Sequence, residues 1–138
     1  MDLAPLAGRV LDPADPAAIA AVDRVLAADV LVVASPTYKA SYSGLLKAFL
    51  DRIDHRGLAG KAAIPVLLGR LPDHRLSVDT HVVPLLLELA AVVPARGLFV
   101  LEPEVETFGV FAADWADTYG PVYAAAAAAP QLAALSQE

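Results

Sequence analysis

Three short runs without lysine, arginine or glutamate constrain the fold more than any other feature. Residues 29–34 (Asp-Val-Leu-Val-Val-Ala), 62–69 (Ala-Ala-Ile-Pro-Val-Leu-Leu-Gly) and 97–101 (Gly-Leu-Phe-Val-Leu) are apolar on both alternating faces. Runs of this length and composition read as strands covered on both sides, the usual state of strands in parallel sheets. Longer segments with helical spacing separate them. Asp15-Pro16 has the form of a helix start, a capping carboxylate followed by proline at the first helical position. From it the spacing predicts a helix over residues 17–28 that turns Ile19, Val22, Val25 and Leu26 inward. A second is expected over residues 43–54, burying Leu45, Leu46, Phe49, Leu50 and Ile53. A third, over residues 76–93, should bury Val78, Val82, Leu85, Leu86, Leu89 and Val92. An alanine-rich region supplies the fourth, over residues 112–129, with a break near Gly120-Pro121 and a continuation at residues 131–135 beyond Pro130.

Strand and helix thus alternate, and alternation of this kind implies right-handed βαβ crossovers and a parallel sheet. The 138 residues make a single α/β domain by length. Two prolines test this reading. Pro65 lies inside an expected strand, where its missing amide breaks the ladder. Pro84 lies inside the third expected helix and should kink it or widen a turn at residues 80–84. The first 15 residues, with prolines at 5 and 13, read as irregular.

Hydrophobic residues make up 57% of the chain. No apolar run approaches the roughly 20 residues that span a bilayer, so the apolar content is assigned to a covered sheet and an oligomer interface. No basic-then-apolar leader opens the chain, and a cytoplasmic location is expected. The absence of cysteine excludes disulfides and thiol chemistry. The net charge of −6 argues against non-specific nucleic-acid binding. Its distribution is uneven. Residues 39–75 hold seven basic and three acidic side chains, a local +4 that leaves −10 elsewhere. That excess fits either solvated helix faces or a positive mouth for a phosphorylated ligand.

Ligands of open parallel sheets bind beyond the carboxyl ends of the strands. Two loops lie there, residues 35–43 and 69–74. The first reads Ser-Pro-Thr-Tyr-Lys-Ala-Ser-Tyr-Ser and leads into Gly44. It places two tyrosines and a lysine beside several hydroxyls, and either Ser41 or Ser43 can cap the helix that follows. Tyr38 and Tyr42 can present an edge or a phenol to a planar ligand, with Lys39 as a nearby charge. Gly69 either ends its strand or lets a ligand approach the backbone closely. His55, His74 and His81 show no metal-binding spacing. Trp115 and Tyr119, one helical turn apart, read as packing residues.

Residues 34–53, Ala-Ser-Pro-Thr-Tyr-Lys-Ala-Ser-Tyr-Ser-Gly-Leu-Leu-Lys-Ala-Phe-Leu-Asp-Arg-Ile, followed by Leu-Ala-Gly-Lys-Ala-Ala-Ile-Pro-Val-Leu-Leu-Gly, resemble the NADPH-dependent FMN reductases of the alkanesulfonate- and methanesulfonate-utilisation type. The likeness continues through Ser77-Val78-Asp79, Pro84 and the strand at residue 97, and Pro65 and Pro84 fall where relatives also carry proline. It implies a flavodoxin-like fold, a three-layer parallel sheet with helices on both faces. It also implies FMN and NADPH as cofactors, with Pro36, Thr37, Tyr38, Lys39, Gly69 and Arg70 around the flavin. Hydride passes from nicotinamide to flavin in such enzymes, so no catalytic side chain is assigned and no metal is expected. A flavin-dependent monooxygenase and further copies of the chain are the implied partners. His74 falls at a family position near the flavin.

The chain departs from the family pattern in three places. The likeness starts at the end of the family's second strand, near residues 1–3. The fold is therefore expected in N-terminally truncated form, without the strand and Gly-Ser-Pro-Arg-type loop that hold the FMN phosphate. Without that strand, the run at residues 30–34 should form a sheet edge. Arg70 stands where relatives carry a second glycine and would either crowd the ring or reach a phosphate. Thr80, with His81 beside it, replaces an aromatic residue or histidine found in some relatives. A second functional class stays open, a flavodoxin-like interaction or structural subunit without reductase activity.

Overall fold

A computed structural model describes residues 1–129. Its core is a parallel sheet of three strands, β1 (Val30–Pro36), β2 (Ala62–Gly69) and β3 (Leu98–Leu101), in the order β1-β2-β3. Helix α1 (Pro16–Leu26) precedes β1, and α2 (Gly44–Leu50) links β1 to β2. A π-helical turn (Val78–Val82) running into α3 (Val83–Glu88) links β2 to β3. The long α4 (Phe108–Ala128) follows β3. The expected three-layer parallel α/β architecture is present. Leu31, Ala63, Leu67 and Phe99 on one sheet face join a buried cluster with Ala21 of α1, Leu46, Phe49 and Leu50 of α2, and Val78, Val82 and Leu86. On the other face α4 lies against β2, where Leu98 and Val100 are buried.

Pro65 is tolerated in the central strand because of register. The amide of Ala62 donates to Asp29 O and that of Ala63 to Val92 O, so successive β2 residues turn toward opposite neighbours. Pro65 shares its side with Ala63, toward β3, but the β3 ladder starts one residue later at Val66↔Leu98. No partner is lost. The same crowding makes Gly97 obligatory: a Cβ there would collide with the Pro65 carbonyl oxygen and lie 2.5 Å from Val78 Cγ1.

Several expectations need correction. Strand β1 is covered on one face only. Leu31 and Ser35 are buried, but Val30 is 42% and Val32 66% exposed, because α4 reaches only the β2–β3 side of that face. Residues 1–3 join no strand. Met1 and Leu3 instead line a small apolar cavity of about 140 Å³ at the β1 edge, opposite Leu46, Phe49 and Leu58. Helix α2 stops at Leu50, since the amides of Arg52 and Ile53 bond three residues back. The expected helix over 76–93 is shorter and mixed. A separate 3₁₀ turn (Pro72–His74) precedes it, and it widens at Val78–Val82, where the Val83 amide reaches Val78 O. It ends at Glu88 through Ala90, whose φ is +64°. Val92 is then extended and bridges Ala62. The widened turn expected near Pro84 is therefore present, directly upstream of it, and Pro84 sits in the first turn of α3 where its absent amide is harmless. Helix α4 starts at Phe108 and runs unbroken through Pro121. Gly120 carries no Cβ to meet the proline ring, which eases the contact with the preceding residue, while the backbone bond to Asp117 O is still lost. The segment 131–135 lies outside the described residues.

Polar side chains anchor the ends of elements. Asp15 caps α1 by accepting from the amides of Ala17 and Ala18, each at 2.9 Å, and pairs with Arg9. The Ala18 amide, with Arg9 adding, holds its carboxyl below the usual range. Arg52 donates to the carbonyls of Val10, Asp12 and Pro13, fastening the N-terminal segment to the end of α2. Lys61 donates to Ala28 O, tying α1 to the start of β2.

Gly97→Ala should destabilise the fold by about 1–3 kcal/mol, since the backbone of β2 cannot yield to the new methyl group. Chemical denaturation of the two proteins measures the difference.

Candidate functional site

Strands β1 and β2 end level with one another, with Pro36 opposite Leu68. The two following loops therefore face each other across a cleft of about 550 Å³. Pro36, Thr37 and Tyr38 form one wall, and Leu68, Gly69, Arg70 and Leu71 the other. His74, at the end of the 3₁₀ turn, and Glu102, just past β3, complete the lining. The volume falls in the range of small-molecule and cofactor sites. Of the residues proposed from sequence, Pro36, Thr37, Tyr38, Gly69 and Arg70 share this cleft. Lys39 does not line it.

The position of Lys39 follows from the loop's backbone. Tyr38 and Ser41 exchange amide–carbonyl bonds of 2.8 and 3.1 Å, closing a two-residue turn. Its centre, Lys39 and Ala40, has φ of +52° and +61°. Two successive left-handed residues are the pattern of a type I′ turn, which favours asparagine and glycine and costs other residues about 1–2 kcal/mol each. The turn leaves Lys39 at an exposed tip. The rest of the loop is fastened from beneath. The buried Ser35 hydroxyl accepts the Ser43 amide at 2.8 Å and donates to Pro36 O at 2.8 Å. Ser43, one of the two expected caps, accepts the Leu46 amide and starts α2.

The cleft is built close to the backbone at Gly69. A Cβ there would stand 2.8 Å from Phe99 Cζ and 3.2 Å from Thr37 Oγ1. Phe99 and Thr37 thus occupy the space of a side chain at position 69, and the glycine's use is packing as well as access. Thr37 anchors the opposite wall by donating its amide to Leu68 O at 2.7 Å. Its hydroxyl is buried and has no hydrogen-bond partner. Buried hydroxyls are nearly always paired, so this one has unused capacity to donate or accept. These walls could take a planar ring between them, with Tyr38, 64% exposed, as an aromatic edge and Gly69 as a side-chain-free wall.

Arg70 crosses the cleft mouth. Its Nε donates to both Glu102 carboxylate oxygens, at 3.0 and 2.9 Å. Sequence patterning did not single out Glu102. Opposite charges one residue beyond the aligned ends of adjacent strands were the signal available for it. The positive excess of residues 39–75 does not gather at the cleft. Arg52 and Lys61 bond backbone carbonyls, Lys47 pairs with Asp51, and Arg75 pairs with Glu104 at 3.5 Å. His55 and His81 are exposed and lie outside the lining. Among the described residues no group of acidic or histidine side chains is placed to hold a metal ion. None of the described helices is long and apolar enough to cross a membrane.

Open parallel α/β sheets take their ligands in a crevice beyond the strand ends, where this cleft lies. Residues 3–105 match the family described as NADPH-dependent FMN reductase, and the chain belongs to that family. It is 42% identical over 78 residues to FMN reductase (NADPH) of Escherichia coli strain K12, an alignment covering 56% of this chain and 41% of that protein. It is 37% identical over 81 residues to the NADH-dependent FMN reductase SfnF of Pseudomonas putida, covering 59% and 42%. The solved apo form of an NADH:FMN oxidoreductase (EMOB) superposes with a TM-score of 0.74 at 31% identity, over 89% of this chain and 68% of that one. The alignments span only 41% of the length of the first two curated relatives. The fold is flavodoxin-like, as its resemblance implied.

The left-handed turn gives a direct test of the loop's geometry. Ala40→Gly should stabilise the protein by about 0.5–1 kcal/mol, by relieving the Cβ penalty at φ +61°. Thermal unfolding of the two forms checks the sign.

Proposed function

We propose that this chain carries the flavin-ring site of an NAD(P)H-dependent FMN reductase. The observation that carries the reading is the cleft of about 550 Å³ at the strand ends, walled by Pro36, Thr37, Tyr38 and Gly69, in a chain of the FMN reductase family. Pro36, Thr37 and Tyr38 would hold one side of the isoalloxazine and Gly69 the other, with His74 nearby. Flavin, when bound, accepts a hydride from reduced nicotinamide, and the chemistry resides in the two cofactors. The chain's own task is to orient the ring and to exclude water with Leu68 and Leu71. Lys39 at the turn tip is available to a ligand reaching past the cleft. Relatives named for NADPH and for NADH both align, so the shared fold does not by itself select between the two nucleotides.

The reduced flavin would serve a partner monooxygenase, in keeping with the sulfonate-utilisation resemblance, in a cytoplasmic setting. Self-association suits the exposed Leu71, Leu76 and Leu87, which no described element covers. The open β1 face, with Val30 and Val32 in solvent, favours a second reading in which the chain acts as an interaction subunit.

Titration of riboflavin and FMN into the 138-residue protein, followed by flavin fluorescence, separates the two. Binding of the ring with NADPH- or NADH-driven bleaching supports the reductase. Tyr38→Ala should then weaken ring binding about 3–10-fold, the usual worth of one aromatic contact, while leaving the fold intact, since Tyr38 is 64% exposed. A protein that binds neither flavin overturns the reductase reading.

A further inference from the structure

We propose that Arg70 is the phosphate-recognising residue of the cleft and that Glu102 is its built-in competitor. The inference rests on the flavin-reductase reading for the identity of the ligand, and on the geometry of the Arg70–Glu102 pair for the role. Among the residues lining the cleft, Arg70 is the one permanently charged cation. It follows Gly69 directly, so its backbone is fixed by the last residue of the central strand. Its bonds to Glu102 use Nε alone. Neither Nη1 nor Nη2 donates to any described residue, which leaves four of the five guanidinium N–H groups free. Two parallel N–H donors on a planar fork match two oxygens of a phosphate, a geometry an ammonium cannot reproduce.

Arg75, the next basic residue in the chain, is arranged otherwise. It pairs with Glu104 and stands 6.0 Å from the centre of the Phe99 ring, outside the cleft lining. Lys39 also lies outside it. The ligand chemistry is therefore a phosphomonoester dianion attached to a ring-bearing nucleotide. It can come from the 5′-phosphate of FMN or from the 2′-phosphate that distinguishes NADPH from NADH. Glu102 holds Arg70 at the cleft mouth when no phosphate is present and repels an incoming dianion. The side chains are 80% and 49% exposed, so the pair is weak enough to be exchanged.

The test compares the 138-residue protein with Arg70→Gln and Glu102→Gln, both at exposed positions where thermal melts should be close to the parent's. Affinities for FMN, riboflavin, NADPH and NADH give two ratios, one for each phosphate source. Arg70→Gln should lower one of them about tenfold, the worth of a charge-assisted bidentate contact. Glu102→Gln should raise the same ratio about two- to fivefold, as an exposed competing carboxylate is removed. The ratio that moves identifies the source. Both ratios unchanged in Arg70→Gln overturns the proposal. Inorganic phosphate, titrated into ligand-free protein while the Arg70 Nε–Hε resonance is followed, tests the role without any flavin. A saturable shift, reached at lower phosphate in Glu102→Gln, supports it, and no shift overturns it. A protein that binds phosphate through Arg70 but neither flavin would overturn the flavin reading while leaving the anion site in place.

Discussion

Strand β2 is the constraint on which the other elements depend. It is paired on both sides, and its residues alternate in the neighbour they face. A one-residue slip against β1 would send Ala63, Leu67 and Gly69 to the wrong face, and would set Pro65 against a strand that needs its amide. The observed register avoids both faults. It also keeps Pro36 opposite Leu68 and Gly69 opposite Leu101. The three strand ends are thereby level, and the loops after β1, β2 and β3 contribute to a single cleft. The site is a consequence of strand pairing before it is a property of any loop residue.

The two sides of the sheet are unequally satisfied. Burying a valine side chain contributes about 1.5–3 kcal/mol, and Val30 and Val32 forgo much of that in this chain. Edge strands are commonly protected by lysine, proline or a bulge. Residues 30–35 have none of these, and β1 meets a proline only at its last position. The strand has the composition of an internal one and the exposure of an edge. Such a surface favours pairing or packing with further polypeptide, whatever its source, and gives the interaction reading its physical basis.

Much of this was legible in the sequence. The β-branched runs located all three strands to within two residues, because a short apolar run between helical segments has few other solutions. The Asp15-Pro16 cap placed α1 for a purely local reason. What escaped was decided by tertiary context. Helix α2 was expected to reach residue 54, but Arg52 turns to the carbonyls of Val10, Asp12 and Pro13, partners more than thirty residues away that periodicity does not reveal. Pro121 was read as a break, but the helix continues past it with one backbone bond missing. The exposure of Val32 depends on what α4 covers, and hydropathy alone cannot report it. At the candidate site, the cleft wall at Gly69 was foreseen as access for a ligand, while Phe99, which fills the space beneath, is distant in sequence and was read only as part of a strand.

The charge pattern shows most clearly how folding reassigns what composition suggests. A local excess of +4 fitted either solvated helix faces or a positive mouth, and four of its seven members go to carbonyls or ion pairs away from the cleft. Arg52 and Lys61 satisfy carbonyls at element ends, where a cation stabilises backbone that would otherwise lack a partner. Lys47 pairs with Asp51 one helical turn away, an interaction worth only a few tenths of a kcal/mol. Only Arg70 is left facing the cleft, and it faces an acidic residue from the opposing loop. An exposed ion pair of this kind contributes little to stability, so folding alone gives weak reason for it. Its position matters more than its strength. A cation held at the mouth of a cleft with most of its donors unused is preorganised for an anion, and a neighbouring carboxylate limits that attraction to ligands carrying enough negative charge to displace it. Selectivity between a phosphorylated and an unphosphorylated nucleotide can arise from such a pair without a dedicated phosphate loop among the residues that form the cleft.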